Sequence, residues 1–222
     1  MISVVTGTYN RIRLLDRLIK NTVGNSDRLE LVLVDGGSTD GTVEYIKSLN
    51  NPQIKLIETG RRSSYPHFMN IGIRSASHEL IAQWNDDVVL TNTWGEVFAA
   101  IDDHDFYIFS WKECDKNFRS MSGWNLLDNP NETVLNYGIY NKRIFREIGM
   151  YYGGFKFYYA DADMSYRAKC FGYSYKPLHG IKVLSVKTDE QVVHAIGNDK
   201  VVYNETRILY EKHKLPDGID YI

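Results

Sequence analysis

The sequence is poor in several features that would place it in a familiar class. Only two cysteines occur in 222 residues, Cys114 and Cys170, and they lie far apart. That count argues against a disulfide framework and against a thiolate zinc centre, and it reads as two idle thiols in a reducing compartment. Positive charge is not in excess: 26 Lys and Arg against 28 Asp and Glu give a net charge of -2. The electrostatic case for a nucleic-acid partner or a polybasic membrane patch is therefore missing. No apolar run approaches the ~20 residues that cross a bilayer. The start, Met1-Ile2-Ser3-Val4-Val5, lacks the charged n-region and long apolar stretch of a secretory signal. The expectation is a cytoplasmic protein, at most peripheral at a membrane. No Pro-, Gly- or Ser-rich linker, internal repeat or low-complexity tract interrupts the chain, so residues 1–222 read as one domain.

What is present is an alternation of short apolar runs and helical patterns. Ile2 to Thr6 reads as a buried strand, and Ile12 to Val23 as a helix with Leu14, Leu15, Leu18 and Ile19 on one face. Leu29 to Val34, Ile54 to Glu58 and Leu80 to Trp84 read as further strands. Thr42 to Leu49, with Asp40 as its cap, and Pro66 to Ser75 read as the helices between them. This order predicts an α/β fold with a mainly parallel sheet covered on both faces. The second half is less regular. Phe106 to Trp111, Ser174 to Pro177 and Lys182 to Val186 read as strands. Asn141 to Ile148, Asp161 to Phe171 and Lys200 to His213 read as helices, and Lys112 to Asn131 as a polar, aromatic-rich loop.

Ligands of open parallel sheets sit beyond the carboxyl ends of the strands. Three polar clusters fall there: Gly7 to Arg11, Asp35 to Ser38, and Asn85-Asp86-Asp87. Asp35 is placed either to accept hydrogen bonds from a base or ribose, or simply to close a Gly-rich turn. Asn85-Asp86-Asp87 offers oxygen ligands of the kind that hard divalent ions use, or a solvated strand-to-loop turn. Asp161 opens a helix at the place of an N-cap carboxylate. Asp163 and Arg167, four apart, are spaced to pair along that helix. His194 follows a polar loop and is structural or a ligand.

Taken in order, these segments resemble family 2 glycosyltransferases of the GT-A fold. The resemblance runs through Ile2 to Arg11, through Leu31-Val32-Leu33-Val34-Asp35-Gly36-Gly37-Ser38-Thr39-Asp40-Gly41-Thr42, and through Asn70-Ile71-Gly72-Ile73. It continues at Asn85-Asp86-Asp87 and at Asp161 to Arg167, ending near Gly172-Tyr173, and reaches about as far as His194. It implies a nucleotide-binding half over 1–90 and an acceptor-binding half over 91–222. The donor would be a nucleotide-diphosphate sugar, with uracil the usual base. Thr6, Thr8, Tyr9, Arg11, Asp35, Arg62 and Asp86 would line its nucleotide. Asp87 and His194 would hold a divalent ion, Mn²⁺ or Mg²⁺, and Asp161 would be the general base of an inverting displacement. Trp124 and Asp163 would face the acceptor, whether a glycan, a lipid-linked sugar or a protein. Trp111, Tyr151, Tyr152, Phe155, Tyr158 and Tyr159 add aromatic faces that pack against sugar rings or fill the core.

Two departures from the family pattern stand out. Asn85 replaces the first Asp of the metal triplet, and Ala160 replaces the Glu of a Glu-Asp pair. They leave room for a non-catalytic nucleotide-sugar or carbohydrate-binding module. A nucleotidyltransferase is a further alternative, although the loop after the first strand has one glycine where that class has several.

Overall fold

The computed structural model describes residues 1–124, 137–186 and 196–211. Expectations that fall on 125–136, 187–195 and 212–222, His194 among them, lie outside the described residues.

Strands β1 (Ile2–Thr8), β2 (Leu29–Asp35), β3 (Ile54–Glu58) and β4 (Leu80–Gln83) alternate with helices α1 (Ile12–Asn21), α2 (Thr42–Ser48) and α3 (Tyr65–Ser75). β3, β2, β1 and β4 lie side by side and all run parallel. Side chains alternate across the strands, so Val4, Leu31 and Leu33 enter the core under α1 and α2. Val5 and Val32 enter the core under α3. A strand apolar on both faces has to be covered on both, which is why these segments read as continuous hydrophobic runs.

The second half extends the same sheet less regularly. It adds β5 (Val88–Leu90), α4 (Trp94–Ala100), β6 (Phe106–Cys114), β7 (Gly138–Asn141), α5 (Lys142–Ile148), α6 (Ala160–Cys170), β8 (Tyr175–Val186) and α7 (Ile196–Glu211). The order across the eight strands is β3-β2-β1-β4-β7-β6-β8-β5, with β7 antiparallel to both neighbours and β5 antiparallel to β8. β6 therefore points the same way as β1 and β4, and its carboxyl end reaches the same sheet edge.

Several expectations change here. β5, α4 and β7 had not been read from the sequence. The two strands expected at 174–177 and 182–186 are one strand, β8, with an irregularity opposite Phe109 and Ser110. α7 begins before Lys200. Asp40 is not the N-cap of α2, a place taken by Gly41. Its carboxylate instead accepts the Thr42 N–H and the Ile12 N–H, both at 3.1 Å, and so joins the starts of α2 and α1. β5 is an edge strand whose outer side is partly closed by Asn21, which bonds both N–H and carbonyl of Leu90. Asn70 of α3 makes the same two-way pairing with the Tyr151 backbone, fastening α3 to the segment before α6.

Gly138 opens β7 between β4 and β6. A Cβ there would stand 2.0 Å from the Tyr107 carbonyl oxygen, a backbone atom in mid-sheet that has no room to swing aside. Gly138→Ala is expected to cost about 3 kcal/mol or more. Urea denaturation reads this as a lower midpoint at unchanged slope, and a variant as stable as the parent would contradict the β6–β7 register.

Candidate active site

The carboxyl ends of β1, β2, β4, β6 and β8 converge on one cleft. Its walls begin with two cross-linked loops. The Asn10 N–H donates to Ser38 Oγ at 2.8 Å, and Asn10 Oδ1 accepts the Thr39 N–H at 2.7 Å. Asn10 holds a left-handed backbone, φ 54°, a conformation that Asn tolerates better than most residues. The Asp35 carboxylate accepts the N–H groups of Gly37 (2.8 Å) and Ser38 (2.9 Å) and the Ser38 hydroxyl. At 1% exposure it closes its own turn, and Gly36 presents the wall that the cleft sees. Gly37 needs its glycine: φ is 84°, and a Cβ would meet the Gly60 carbonyl carbon at 2.8 Å.

The first compartment is lined by Thr8, Tyr9, Arg11, Gly36, Arg62 and Asp86 among others. Tyr9 is 37% exposed, with the Arg62 guanidinium 5.3 Å from its ring centroid, which leaves a flat aromatic face beside a cation. Thr6 does not join them. It is fully buried, its hydroxyl turned to the Gly7 carbonyl, because β1 sends it into the sheet's core side.

Asp86 and Asp87 follow β4 side by side. Thr8 Oγ1 donates to Asp86 at 3.2 Å, and the Arg11 guanidinium stands 3.4 Å from Asp86 and 3.5 Å from Asp87. Burial raises both carboxyls, Asp86 to about 7. Arg11 opposes the rise on both, while Asp87 adds to it on Asp86. Two buried acids thus share one guanidinium at long range. Asp87 Oδ1 is buried with no hydrogen-bond partner among the described residues. An oxygen-only donor set carrying surplus negative charge and an orphaned carboxylate oxygen fits a hard divalent ion.

The second compartment opens beyond Asp87, with a volume of about 300 Å³. Arg11, Arg62, Tyr65, Asn85, Asp87 and Phe157 border both compartments, so the two form one continuous cleft. Asp161, in the first turn of α6, lines the second and is half-buried there. Its carboxylate accepts the Ala162 N–H at 2.9 Å, yet burial dominates and raises it to about 6. Ala160, in place of a Glu, is packed in the core.

Trp111, Tyr158 and Tyr159 also line this compartment, whereas Tyr151 and Phe155 are core residues. Asp163 is 0% exposed on the inner side of α6, so it neither faces an acceptor nor offers a second base. Trp124 is 43% exposed, flanked by the ammonium groups of Lys112 (4.6 Å) and Lys182 (5.1 Å), and lies outside the cleft lining. Residues of this compartment not anticipated are Tyr65, Gln83, Glu113, Tyr137, Phe157 and Ser185. Gln83 and Glu113 sit at the ends of β4 and β6, so the strand-end rule applied to the second half would have found Glu113. Away from the cleft, Asp102, Asp103 and His104 cluster just before β6, at the opposite sheet edge. There Asp102 is engaged by Lys176, His104 and Tyr107.

Comparison with known proteins agrees with the fold. The family model for glycosyl transferase family 2 matches residues 3–167. No curated protein matches the chain. Among solved structures, the mannosyltransferase PcManGT from Pyrobaculum calidifontis, in complex with GDP-Man and Mn²⁺, superposes with a TM-score of 0.70 at 14% identity. The match covers 96% of this chain and 64% of that one. TarS 1-349 of S. aureus, in complex with UDP, gives 0.67 at 18% identity over 94% of this chain and 64% of that one. The chain thus spans just under two thirds of each of these structures. No described helix is long and apolar enough to cross a membrane. With the family's model covering most of the sequence, the chain belongs to glycosyl transferase family 2.

Proposed function

We propose that this chain moves a sugar from a nucleotide-diphosphate donor, with uridine the favoured nucleoside, to a hydroxyl of a glycan or similar acceptor, with inversion. The observation that carries this reading is the single cleft in which Asp87 borders both compartments and Asp161 stands in the second. The nucleotide then occupies the first compartment, against Tyr9 and Arg62, and the transferred sugar lies across Asn85 and Asp87. The UDP and GDP-Man in complex with the structural neighbours support a nucleotide-linked donor.

Asp87, with Asp86 or Asn85, would hold a divalent ion that neutralises the charge developing on the leaving diphosphate. Arg11 and Arg62 face the same region and add fixed positive charge. The Asp161 carboxylate takes the proton of the acceptor hydroxyl as that oxygen attacks the anomeric carbon on the side away from the diphosphate. The reading is tested by NMR of the product, which is expected to carry the anomeric configuration opposite to the donor's. Retained configuration would rule out the direct displacement.

A pH dependence follows from Asp161. Its carboxyl is raised to about 6, and only the ionised form accepts a proton. Turnover is therefore expected to be level well above that value and to fall as pH drops through it, about tenfold per unit. A rate that stays level down to pH ~5 would remove Asp161 from this role.

A further inference from the structure

α7 contributes one group that the transfer chemistry leaves unused. Asp199, in its first turn, is 0% exposed. Its carboxylate accepts the N–H groups of three consecutive residues, Lys156 (3.0 Å), Phe157 (2.9 Å) and Tyr158 (2.8 Å). The same segment is held from the other side by α3, where the Tyr65 N–H donates to the Lys156 carbonyl at 3.1 Å. Phe157, a border of both compartments, meets the Tyr65 ring edge-on at 6.4 Å. Tyr158 and Tyr159 line the second compartment.

Tyr159 then turns the chain into α6 with a left-handed backbone, φ 64°, two residues before Asp161. Such a conformation in a bulky residue persists only where its surroundings over-determine it. Here its ring stacks on Tyr203 of α7 at 5.3 Å and 20°. An ionised carboxylate accepting three N–H groups makes charge-assisted bonds, and removing it strands three donors at once.

We propose that Asp199 is the positioning residue of the cleft: by fixing Phe157 to Tyr159 it sets the wall between the compartments and the place where α6 delivers the Asp161 carboxylate. The inference rests on the reading of Asp161 as the base. Its reach is greater than local packing, because an element late in the chain governs a wall shared by donor and acceptor.

The test is Asp199→Asn, which keeps the shape but removes the charge and turns an amide donor toward N–H groups. Amide exchange of residues 156–158 is expected to accelerate by about 100-fold while β1 and β2 stay protected. The Kd of UDP with Mn²⁺ is expected to stay within about threefold, and kcat on the best donor to fall by about 100-fold, the scale of a misplaced catalytic group. A mobile segment with unchanged kcat, or UDP affinity falling in step with kcat, would overturn the proposal. If the wild type itself turns over no donor, the transferase reading fails. The exchange and UDP arms still decide whether the wall depends on Asp199. Should Asp199→Asn fail to fold, Tyr203→Leu leaves Asp199 and its three N–H partners in place and removes the ring that stacks on Tyr159, together with the Arg207 guanidinium's contact with that ring at 5.7 Å. It is expected to lower kcat at retained UDP affinity, and an unchanged kcat would count against the proposal.

Discussion

Asp161→Asn is expected to lower kcat by about 10³-fold while leaving nucleoside-diphosphate affinity within about threefold. The substitution keeps the size of the side chain and its hydrogen bond from the Ala162 N–H, so the start of α6 is preserved. What disappears is the proton acceptor. No neighbour on α6 replaces it, since Asp163 is fully buried on the opposite side. The other carboxylates lining the second compartment are Asp87 and Glu113, at the ends of different strands. Single-turnover kinetics on both variants separates the cases. If Asp161→Asn keeps more than about a tenth of the rate and Glu113→Gln loses most of it, the base is Glu113 and the assignment to Asp161 is wrong.

Asp87→Ala is expected to weaken nucleoside-diphosphate binding in Mn²⁺ by at least about 100-fold and to abolish the dependence of binding on the metal. The electrostatics add a second, less obvious expectation. Burial holds the Asp87 carboxyl above its ordinary value, so at neutral pH its ionised form weighs against the folded state. Removing it leaves Arg11 to Asp86 alone. The variant without metal is therefore expected to melt at the parent's temperature or above it, and to lose the upward shift that Mn²⁺ and UDP give the parent. A thermal melt with and without both ligands reads both effects. A variant that melts well below the parent yet still responds to Mn²⁺ would mean that Asp87 is structural.

The contrast between the two halves of the chain shows what the sequence made legible. Strands β1, β2 and β4 are largely apolar on both faces and their ends carry the polar clusters, so Thr8, Tyr9, Arg11, Gly36, Asn85, Asp86 and Asp87 of the first compartment's lining were legible in the sequence. Thr6, which β1 turns into the core, and Asp35 are exceptions. The strand-end position of Asp35 is visible in sequence, but its engagement by the Gly37 and Ser38 amides depends on how the turn folds back. The second half hides its strands for physical reasons. β7 is four residues long and begins with a glycine, β5 is three, and neither offers a period to detect. α4 did carry a signal that was overlooked, the Thr93-to-Glu96 capping box, which the structure contains in both directions. Glu113 lies two residues past the apolar run of β6, a strand-end position that was legible but was read only for the first half of the chain. The resemblance assigns Asp163 to the acceptor but does not say which side of α6 faces the core, where Asp163 lies fully buried. Asp199 had no signal at all, since its three partners are backbone groups more than forty positions earlier.

Under the proposed function, one cleft binds a nucleotide sugar and Asp161 drives its transfer. The most direct measurement is mass-spectrometric detection of nucleoside diphosphate released from a panel of UDP- and GDP-sugars in Mn²⁺, by the wild type and by Asp161→Asn. The account predicts release from one donor by the wild type, loss of that release without the metal, and a drop of about 10³-fold in Asp161→Asn at unchanged donor affinity. Donor that binds and is never consumed, or release that is indifferent to Asp161, would contradict it.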